Sequence, residues 1–320
     1  MILAIGNSEC LEYEAYKEVR DSLERRGEQL LLFRQNKCLQ GEYLTFRVSK
    51  NIPIYSIVVE GKEYDVRQFT GIWYMHPMLP MDLLRHPQVE FRPFISAQFL
   101  EMRKALWSLM SKAKWLNDPW KMAQAENKIV QLSAATQSGL AVPDTIVTSD
   151  PEAVRHFYAE HGGRIIVKIL ATSPILDQVI YTNLVSEESI QTIETVKLSP
   201  SIFQEYIPKS YELRITVVGH QIFPVKILSQ ANIQTSIDWR AKPTDNDHGV
   251  MMEQCTLPEK IIDQIRHFMS AMGLNFGCID MIVTPAGHYI FLEINPNGQW
   301  YFVQLKTGAQ IAEAIAQLLV

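Results

Sequence analysis

The chain has 320 residues, 47% of them hydrophobic and 20% charged, with a formal net charge of −5. This balance describes a globular enzyme of two or three sub-domains rather than a disordered or fibrous chain, and it leaves no broad basic surface for nucleic acid. No apolar run reaches the ~18 residues of a membrane span, and the start "MILAIGNSEC" lacks the basic and long apolar regions of a signal peptide. Cys10, Cys38, Cys255 and Cys278 are scattered with no C-x-x-C, so a reduced, cytoplasmic protein is expected.

In chain order, "ILAIG" reads as a buried strand, "LEYEAYKEVRDSLERRG" as an amphipathic helix stopped at Gly27, and "EQLLLFR" as a second strand. This opening predicts a small α/β unit with a parallel sheet. Two strands flank Gly61 in "IPIYSIVVEGKEYDV", another runs through "FTGIWYMHP" to Pro77, and "FISAQFLEMRKALWSLMSK" is a long helix. A turn at Asn117–Pro119 precedes one helix closing at Gly139. "AVPDTIVTSD" holds a short strand. Asp150 is placed to cap "PEAVRHFYAEHG", with Pro151 at its first position. "RIIVKIL" and "VIYTNLV" read as paired strands, and "SEESIQTIETVK" as a helix. The strands "SIFQEYIP", "YELRITVVG" and "QIFPVKILS" follow, the last two joined by a tight "GHQ". "PEKIIDQIRHFMSAMG" is a helix, "FGCIDMIVTPAGHYIFLEIN" a hairpin turning at "TPAG", and "GAQIAEAIAQLLV" a terminal helix.

The hairpin carries the sharpest chemical signal. Glu293 and Asn295 lie two apart at the end of an apolar strand, on one face. Pairing Ile282–Val283 with Tyr289–Ile290 sets Asp280 across from the Glu293 region. Three oxygen-bearing side chains converging there suit a hard cation such as magnesium, which keeps waters and takes phosphate oxygens. The competing reading is a polar strand end facing solvent. Lys168 interrupts the apolar run "RIIVKIL", where an ammonium is costly without an anion, and Lys128 follows "EN" in a helix. Either alone is more often a snorkelling surface lysine. Together with a metal site they suggest a polyphosphate, yet the chain has neither G-x-x-x-x-G-K-[ST] nor G-x-G-x-x-G. Gln204, Glu205, Tyr206 and Ile207 form a stretch able to lay backbone amides against an adenine, and Glu212 offers a carboxylate to a ribose. Arg214, Lys226 and, in the "DWR" at Asp238–Arg240, Arg240 suggest a positive pocket. Ordinary salt bridges on a sheet face are the alternative.

The order of these features resembles the ATP-grasp fold, an α/β (α+β) architecture. The resemblance runs from roughly residue 115 to the end, with the preceding part similar to the family's N-terminal α/β domain. It implies an N-terminal unit over 1–114, a central ATP-grasp subdomain over 115–198 and a C-terminal one over 199–320. More narrowly, "WLNDPWKMAQAENKIVQLSAATQSGLAVPDTIVTSDPE", "FQEYIPKSYELRITVVG", "DWR" and "FLEINPNGQWYFVQLKTG" resemble the graspetide synthetases. These RimK-related, microviridin-type maturases join side-chain carboxylates of a ribosomal precursor peptide to Ser/Thr hydroxyls or Lys amines. The resemblance implies that Lys128 and Lys168 contact ATP phosphates, Glu205–Ile207 form the adenine hinge and Glu212 meets the ribose. It also implies that Asp280, Glu293 and Asn295 hold Mg2+ and that Arg214 and Arg240 meet the substrate carboxylate or its acyl phosphate. Lys226 and Asp238 are expected beside them. The implied partner is a precursor with a leader segment and a core rich in Thr/Ser/Lys and Asp/Glu, and the resemblance leaves room for a homodimer. One departure stands out: "ILATSPILDQVIYT" after Lys168 contains no glycine, whereas many relatives place a glycine-rich phosphate flap there. Two rival functions remain at this stage, a ligase of free amino acids or small carboxylates and a nucleotide-binding module without turnover.

Overall fold

The computed structural model describes residues 1–7, 10–75, 77, 91–171, 182–231 and 250–320. The described residues form four sheets. In the first, β1 (Ile2–Ile5), β2 (Leu30–Phe33), β6 (Gly71–Tyr74) and β7 (Lys114–Trp115) run parallel in the order β2-β1-β6-β7. All four residues of β1 are buried, as expected of a parallel strand covered on both faces. Helix Cys10–Glu24 links β1 to β2.

The second sheet is an antiparallel meander of β3 (Tyr43–Ser49), β4 (Ile52–Val59) and β5 (Lys62–Asp65). The last two are the strands expected around Gly61. β3 was not anticipated, because none of its residues is buried and it shows no in–out alternation. It exists through pairing with β4 across Lys50–Asn51, both at positive φ, as the turn of a two-residue hairpin demands. Helix Phe91–Leu109 packs Leu106 into a core with Leu3, Ile5, Phe33, Tyr55 and Ile57.

The third sheet has the order β10-β9-β11-β8, with β8 (Thr145–Thr148), β9 (Ile165–Lys168), β10 (Asn183–Leu184) and β11 (Ser201–Glu205). Its covered face packs Ile165, Val167 and Phe203 against Val154 and Phe157 of helix Pro151–Glu160. Asp150 caps that helix by accepting from the Glu152 N–H at 3.0 Å. "SEESIQTIETVK" forms a short α-helix, Glu187–Gln191, followed by a 3-10 turn, Ile193–Leu198, rather than one continuous helix.

The fourth sheet, order β14-β13-β12-β15-β16, contains β12 (Tyr211–Val218), β13 (Gln221–Ile227), β14 (Met252–Gln254), β15 (Phe276–Val283) and β16 (Tyr289–Asn295), all antiparallel. One face buries Leu213, Ile215, Val217, Ile279, Met281, Phe291 and Ile294 against helices Lys128–Gln137 and Glu259–Met272. The other face shares a core with the N-terminal sheet, where Val218, Val225 and Phe276 meet Ile2, Trp73, Trp300 and helix Ile311–Leu319. Among the described residues no helix is long and apolar enough to cross a membrane.

The single helix expected after Pro119 is two, Pro119–Ala125 and Lys128–Gln137. Asp118 Oδ1 caps the first, accepting from Trp120 N and Lys121 N. Asn127 Oδ1 starts the second, accepting from Ile129 N and Val130 N, and a cap side chain in the middle of a helical pattern divides it. Asn117 ties this linker down. Its Nδ2 donates to Phe276 O (2.7 Å) and Pro296 O (2.9 Å), and its Oδ1 accepts from Asn275 N (2.8 Å) and Phe276 N (2.9 Å). The buried amide thus spends its full donor capacity on the two chain segments that bracket the site strands. Asn117→Ala should strand these buried backbone groups and cost roughly 2–4 kcal/mol. A urea midpoint lowered at unchanged m-value checks this; an unshifted midpoint would show that the clamp contributes nothing.

Candidate active site

The site face of the fourth sheet is built by register. Arg214 on β12 pairs with Asp280 on β15, and Asp280 pairs with Glu293 on β16. The pairing of Ile282 with Ile290 and Val283 with Tyr289 is the one read from the sequence. Between Met281–Phe291 and Asp280–Glu293 the register shifts, leaving Leu292 as an extra residue. This β-bulge changes the phase of β16. It lets Phe291 and Ile294, three apart, both enter the same core, and it turns Glu293 to the opposite face beside Asp280. Asn295, two residues on, shares that face across from Cys278.

Charge alternates along this line. Lys128 Nζ lies 3.2 Å from Glu293 Oε2, and Arg214 Nη1 donates to Asp280 Oδ2 at 2.8 Å. Arg214 is 7% exposed. Burial alone would lower its pKa, but the Asp280 carboxylate and the Cys278 thiol outweigh burial and hold it above the ordinary arginine value. Its Nη2 donates to Gln299 O at 2.9 Å, while its buried Nε has no acceptor among the described residues. Glu212, two residues before Arg214, is buried and bonded by Lys209 Nζ at 2.8 Å. Burial raises its carboxyl pKa, opposed by Lys209 and by a Ser229 hydrogen bond and reinforced by the charge of Asp280.

Two elements hold this geometry that sequence reasoning missed. β16 is an edge strand, and Gln131 completes it. Gln131 Oε1 accepts from Ile294 N (3.0 Å), and its Nε2 donates to Ile294 O (2.9 Å) and Ala125 O (2.7 Å). The glutamine therefore fixes the residue between Glu293 and Asn295 while lying one helical turn after Lys128. The second element is the turn after β16. Asn295 Oδ1 accepts from Asn297 N at 3.1 Å, and Gly298 N donates to Asn295 O at 3.1 Å. A Cβ on Gly298 would lie 2.6 Å from Cys278 Cβ and 3.0 Å from Arg214 Nη2, so only glycine lets this turn close over the guanidinium. A cleft open to solvent borders the turn and is lined by Trp73, Met75, Phe276, Gln299 and Trp300 among others.

The remaining sequence candidates fall in different places. Lys168 is the last residue of β9 rather than its centre, and it is partly exposed. It faces away from the Ile165–Val167 core, on the same side of its sheet as Ile202 and Gln204. Gln204 is buried, with Nε2 donating to Thr145 Oγ1 and Oε1 lacking a donor among the described residues. Glu205 Oε1 accepts from Asp144 N, its own N–H donates to Asp144 O, and Tyr206 N donates to Arg164 O. The Arg164 guanidinium stacks on the Tyr206 ring at 5.0 Å. Among the described residues the Ile207 amide has no backbone partner. Lys226 is not in a pocket with Arg214. It pairs across from Leu213, on the opposite face, with Nζ 3.3 Å from Glu253 Oε1 and 4.6 Å above the Tyr211 ring. Asp238 and Arg240 lie outside the described residues, as does the glycine-free stretch over 172–181.

The donor set fits a divalent cation. Asp280 and Glu293 occupy directly paired positions, where like charges repel, and a cation between them would relieve this. Among the described residues no cluster of three or more His, Cys, Asp or Glu forms, so the third donor from the protein would be the amide oxygen of Asn295.

A family model for the RimK-like ATP-grasp domain matches residues 125–319. The chain belongs to this family. Among solved structures it is similar to the macrocyclase MdnC bound with precursor peptide MdnA from Microcystis aeruginosa MRC. That match has 30% identity and a TM-score of 0.84, and covers 100% of this chain and 98% of that one. It is also similar to a RiPP-associated ATP-grasp ligase from Chryseobacterium gregarium in complex with ADP and a leader and core peptide. There the identity is 25% and the TM-score 0.86, with 99% and 96% of the two chains covered. A probable alpha-L-glutamate ligase from Histophilus somni (strain 129Pt) is 21% identical over 95% of this chain and 94% of its own length. Whole-length likeness to a macrocyclase puts this ATP-grasp ligase in the graspetide type, as its motifs implied. Gly298→Ala should leave the fold standing but displace Arg214 from Gln299 and Asp280, with at least a tenfold loss of ligase rate. Wild-type turnover in that variant would show that the turn has room to give.

Proposed function

We propose that this ATP-grasp ligase is an ATP- and magnesium-dependent macrocyclase of a ribosomally made precursor peptide, acting in the cytoplasm. The observation that supports it best is the line Lys128, Glu293, Asp280 and Arg214, in which two carboxylates are flanked by two cations. Bound ATP and Mg2+ supply a transferable phosphoryl group that converts an Asp or Glu carboxylate of the peptide into an acyl phosphate. Asp280, Glu293 and Asn295 would hold the metal, and Lys128 and Lys168 would meet the phosphates. The Ile207 amide, next to Glu205 and Tyr206 whose amides are already committed, would serve an adenine edge beside the buried Gln204. Glu212 would accept from the ribose. Arg214 would orient the peptide carboxylate and stabilise charge on the transferring group, with Arg240 and Asp238 as further candidates. A Ser/Thr hydroxyl or Lys amine of the same peptide then attacks the acyl carbon and phosphate leaves. Lys226, paired on the opposite face, has a structural role. The 1–114, 115–198 and 199–320 division is proposed as the domain plan, although β7 straddles its first boundary.

The relative from Histophilus somni favours a second reading, ligation of a free amino acid to an amine by the same pocket. Precursor peptide separates the two. In the macrocyclase, ADP release should depend on added precursor, and the peptide should lose one water in mass per ring. Turnover with free glutamate and none with peptide would select the second reading.

The metal assignment has its own test. Glu293→Gln should lose product formation about 100-fold or more. It should cost no more than roughly 1 kcal/mol of stability, because the part-exposed pair with Lys128 is worth little. Magnesium-dependent nucleotide binding, followed by calorimetry, should weaken in parallel. Unchanged magnesium dependence would remove Glu293 from the metal site.

A further inference from the structure

Away from the Arg214 line stands a second buried arginine, this one without an ion pair among the described residues. Arg103, on helix Phe91–Leu109, is 7% exposed. Its Nε donates to Gln35 Oε1 at 2.7 Å, its Nη2 donates to the same oxygen, and its Nη1 donates to Tyr74 Oη at 3.3 Å. Both partners are neutral, and among the described residues Arg103 forms no ion pair. Glu126, which acts electrostatically on Tyr74, is not within ion-pair distance of it either. Arg34, the residue before Gln35, shows the ordinary solution: its Nε donates to Glu42 Oε1 at 2.7 Å. A buried guanidinium facing only an amide and a phenol carries an uncompensated charge, which is costly. Gln35 occupies the Nε–Nη2 edge. Two of the five N–H donors, one on each terminal nitrogen, make no bond among the described residues, and a carboxylate can accept from such donors.

An independent observation points the same way. Trp107 lies one turn after Arg103 on the same helix face, and its buried Nε1 has no acceptor among the described residues. Its ring meets Tyr74 edge-on at 5.5 Å and Trp120 at 5.1 Å. Tyr74 thus touches both a guanidinium without an ion pair and an indole N–H that lacks an acceptor among the described residues. Gln35 follows β2 and Tyr74 ends β6, so the group stands at the carboxyl ends of a parallel sheet, the edge at which α/β folds bind ligands. Trp120 connects it to the helix pair that leads into Lys128.

We propose that Arg103 and Trp107 form a carboxylate subsite for an acidic side chain of the peptide substrate, distinct from the carboxylate being activated at Arg214. The assignment rests on the peptide-maturase reading and narrows it. A single fork-shaped cation with an indole donor matches a planar, singly charged group better than a polyphosphate, for which the chain offers lysines. By holding one acidic residue, the subsite would set which of its neighbours reaches the reacting centre.

The test uses the full-length protein and two blocked synthetic peptides, one of Thr, Asp and Glu, the other its Thr, Asn and Gln twin, with binding read by calorimetry and tryptophan fluorescence. Wild-type protein should prefer the acidic peptide at least tenfold. Arg103→Lys and Arg103→Met should lose that preference while binding ATP as before, and Trp107→Phe should weaken it several-fold. If Arg103→Met does not fold, the Lys and Phe variants carry the comparison. Equal preference in wild type and Arg103→Lys, or displacement of the acidic peptide by equimolar inorganic phosphate, overturns the subsite. A wild-type preference that depends on Arg103, in an enzyme that closes no ring on any precursor, supports the subsite and counts against the macrocyclase reading instead.

Discussion

The β-bulge at Leu292 is the constraint on which the candidate site depends. A strand has period two, so a slip of one residue exchanges its faces. Without the bulge, regular alternation would carry Glu293 after Phe291 onto the covered face and point Ile294 at the site. With it, apolar residues on both sides of the bulge keep to the core, and Glu293 meets Asp280. A bulge on an edge strand lacks a second neighbour to hold it, and Gln131 supplies one through both backbone groups of Ile294. Ala141 continues the cover by accepting from Phe291 N at 2.8 Å. Helix Lys128–Gln137 therefore does two things at once: its glutamine sets the strand and its first residue, Lys128, sits on the carboxylate that the strand presents.

The same geometry explains why this face is electrostatically costly and why the cost is kept. Asp280 and Glu293 oppose each other directly, and Arg214 is almost fully enclosed with one nitrogen unbonded. A hydrophobic pair in these places would fold at least as well. The arrangement makes sense as a surface pre-charged for a dication on one side and an anion on the other, with little reorganisation needed when charge moves. The glycine at 298 belongs to this design, since a side chain there would separate the guanidinium from the turn that carries Asn295's neighbours.

Much of the fold was legible because it is written in periodicity and punctuation: β1 and β2, the Gly61 hairpin, the Asp150 cap and the "TPAG" hairpin all stand where patterning predicts them. The facing of Asp280 and Glu293 was legible for the same reason, since a hairpin turn and alternation together set register. What escaped has physical causes. The bulge inserts one residue with no distinctive chemistry. Gln131 and Asn117 are neutral amides, which composition does not separate from surface polar residues, and their meaning comes from partners more than a hundred positions away. Lys226 looked like a companion of Arg214 because both emerge from apolar strands. Pairing across from Leu213 puts it on the other face, and only register reveals that. β3 was missed because it buries nothing.

The contrast between satisfied and unsatisfied amides separates scaffold from function in this chain. Asn117 and Gln131 use their donors and acceptors on backbone, and both lie where segments must be locked. Gln204 Oε1, Arg214 Nε, Asn36 Oδ1 and Trp107 Nε1 are buried and have no partner among the described residues. Each such atom costs on the order of 1–3 kcal/mol if water is kept away, a cost a fold tolerates where something else binds. Arg214 Nε lies on the proposed phosphoryl-transfer face, and Gln204 Oε1 precedes the proposed adenine hinge. Trp107 Nε1 and Asn36 Oδ1 flank Gln35 and Arg103 at the edge of the N-terminal sheet. Orphaned polar atoms thus occur where the chain would meet nucleotide and peptide, and saturated ones hold those places in position.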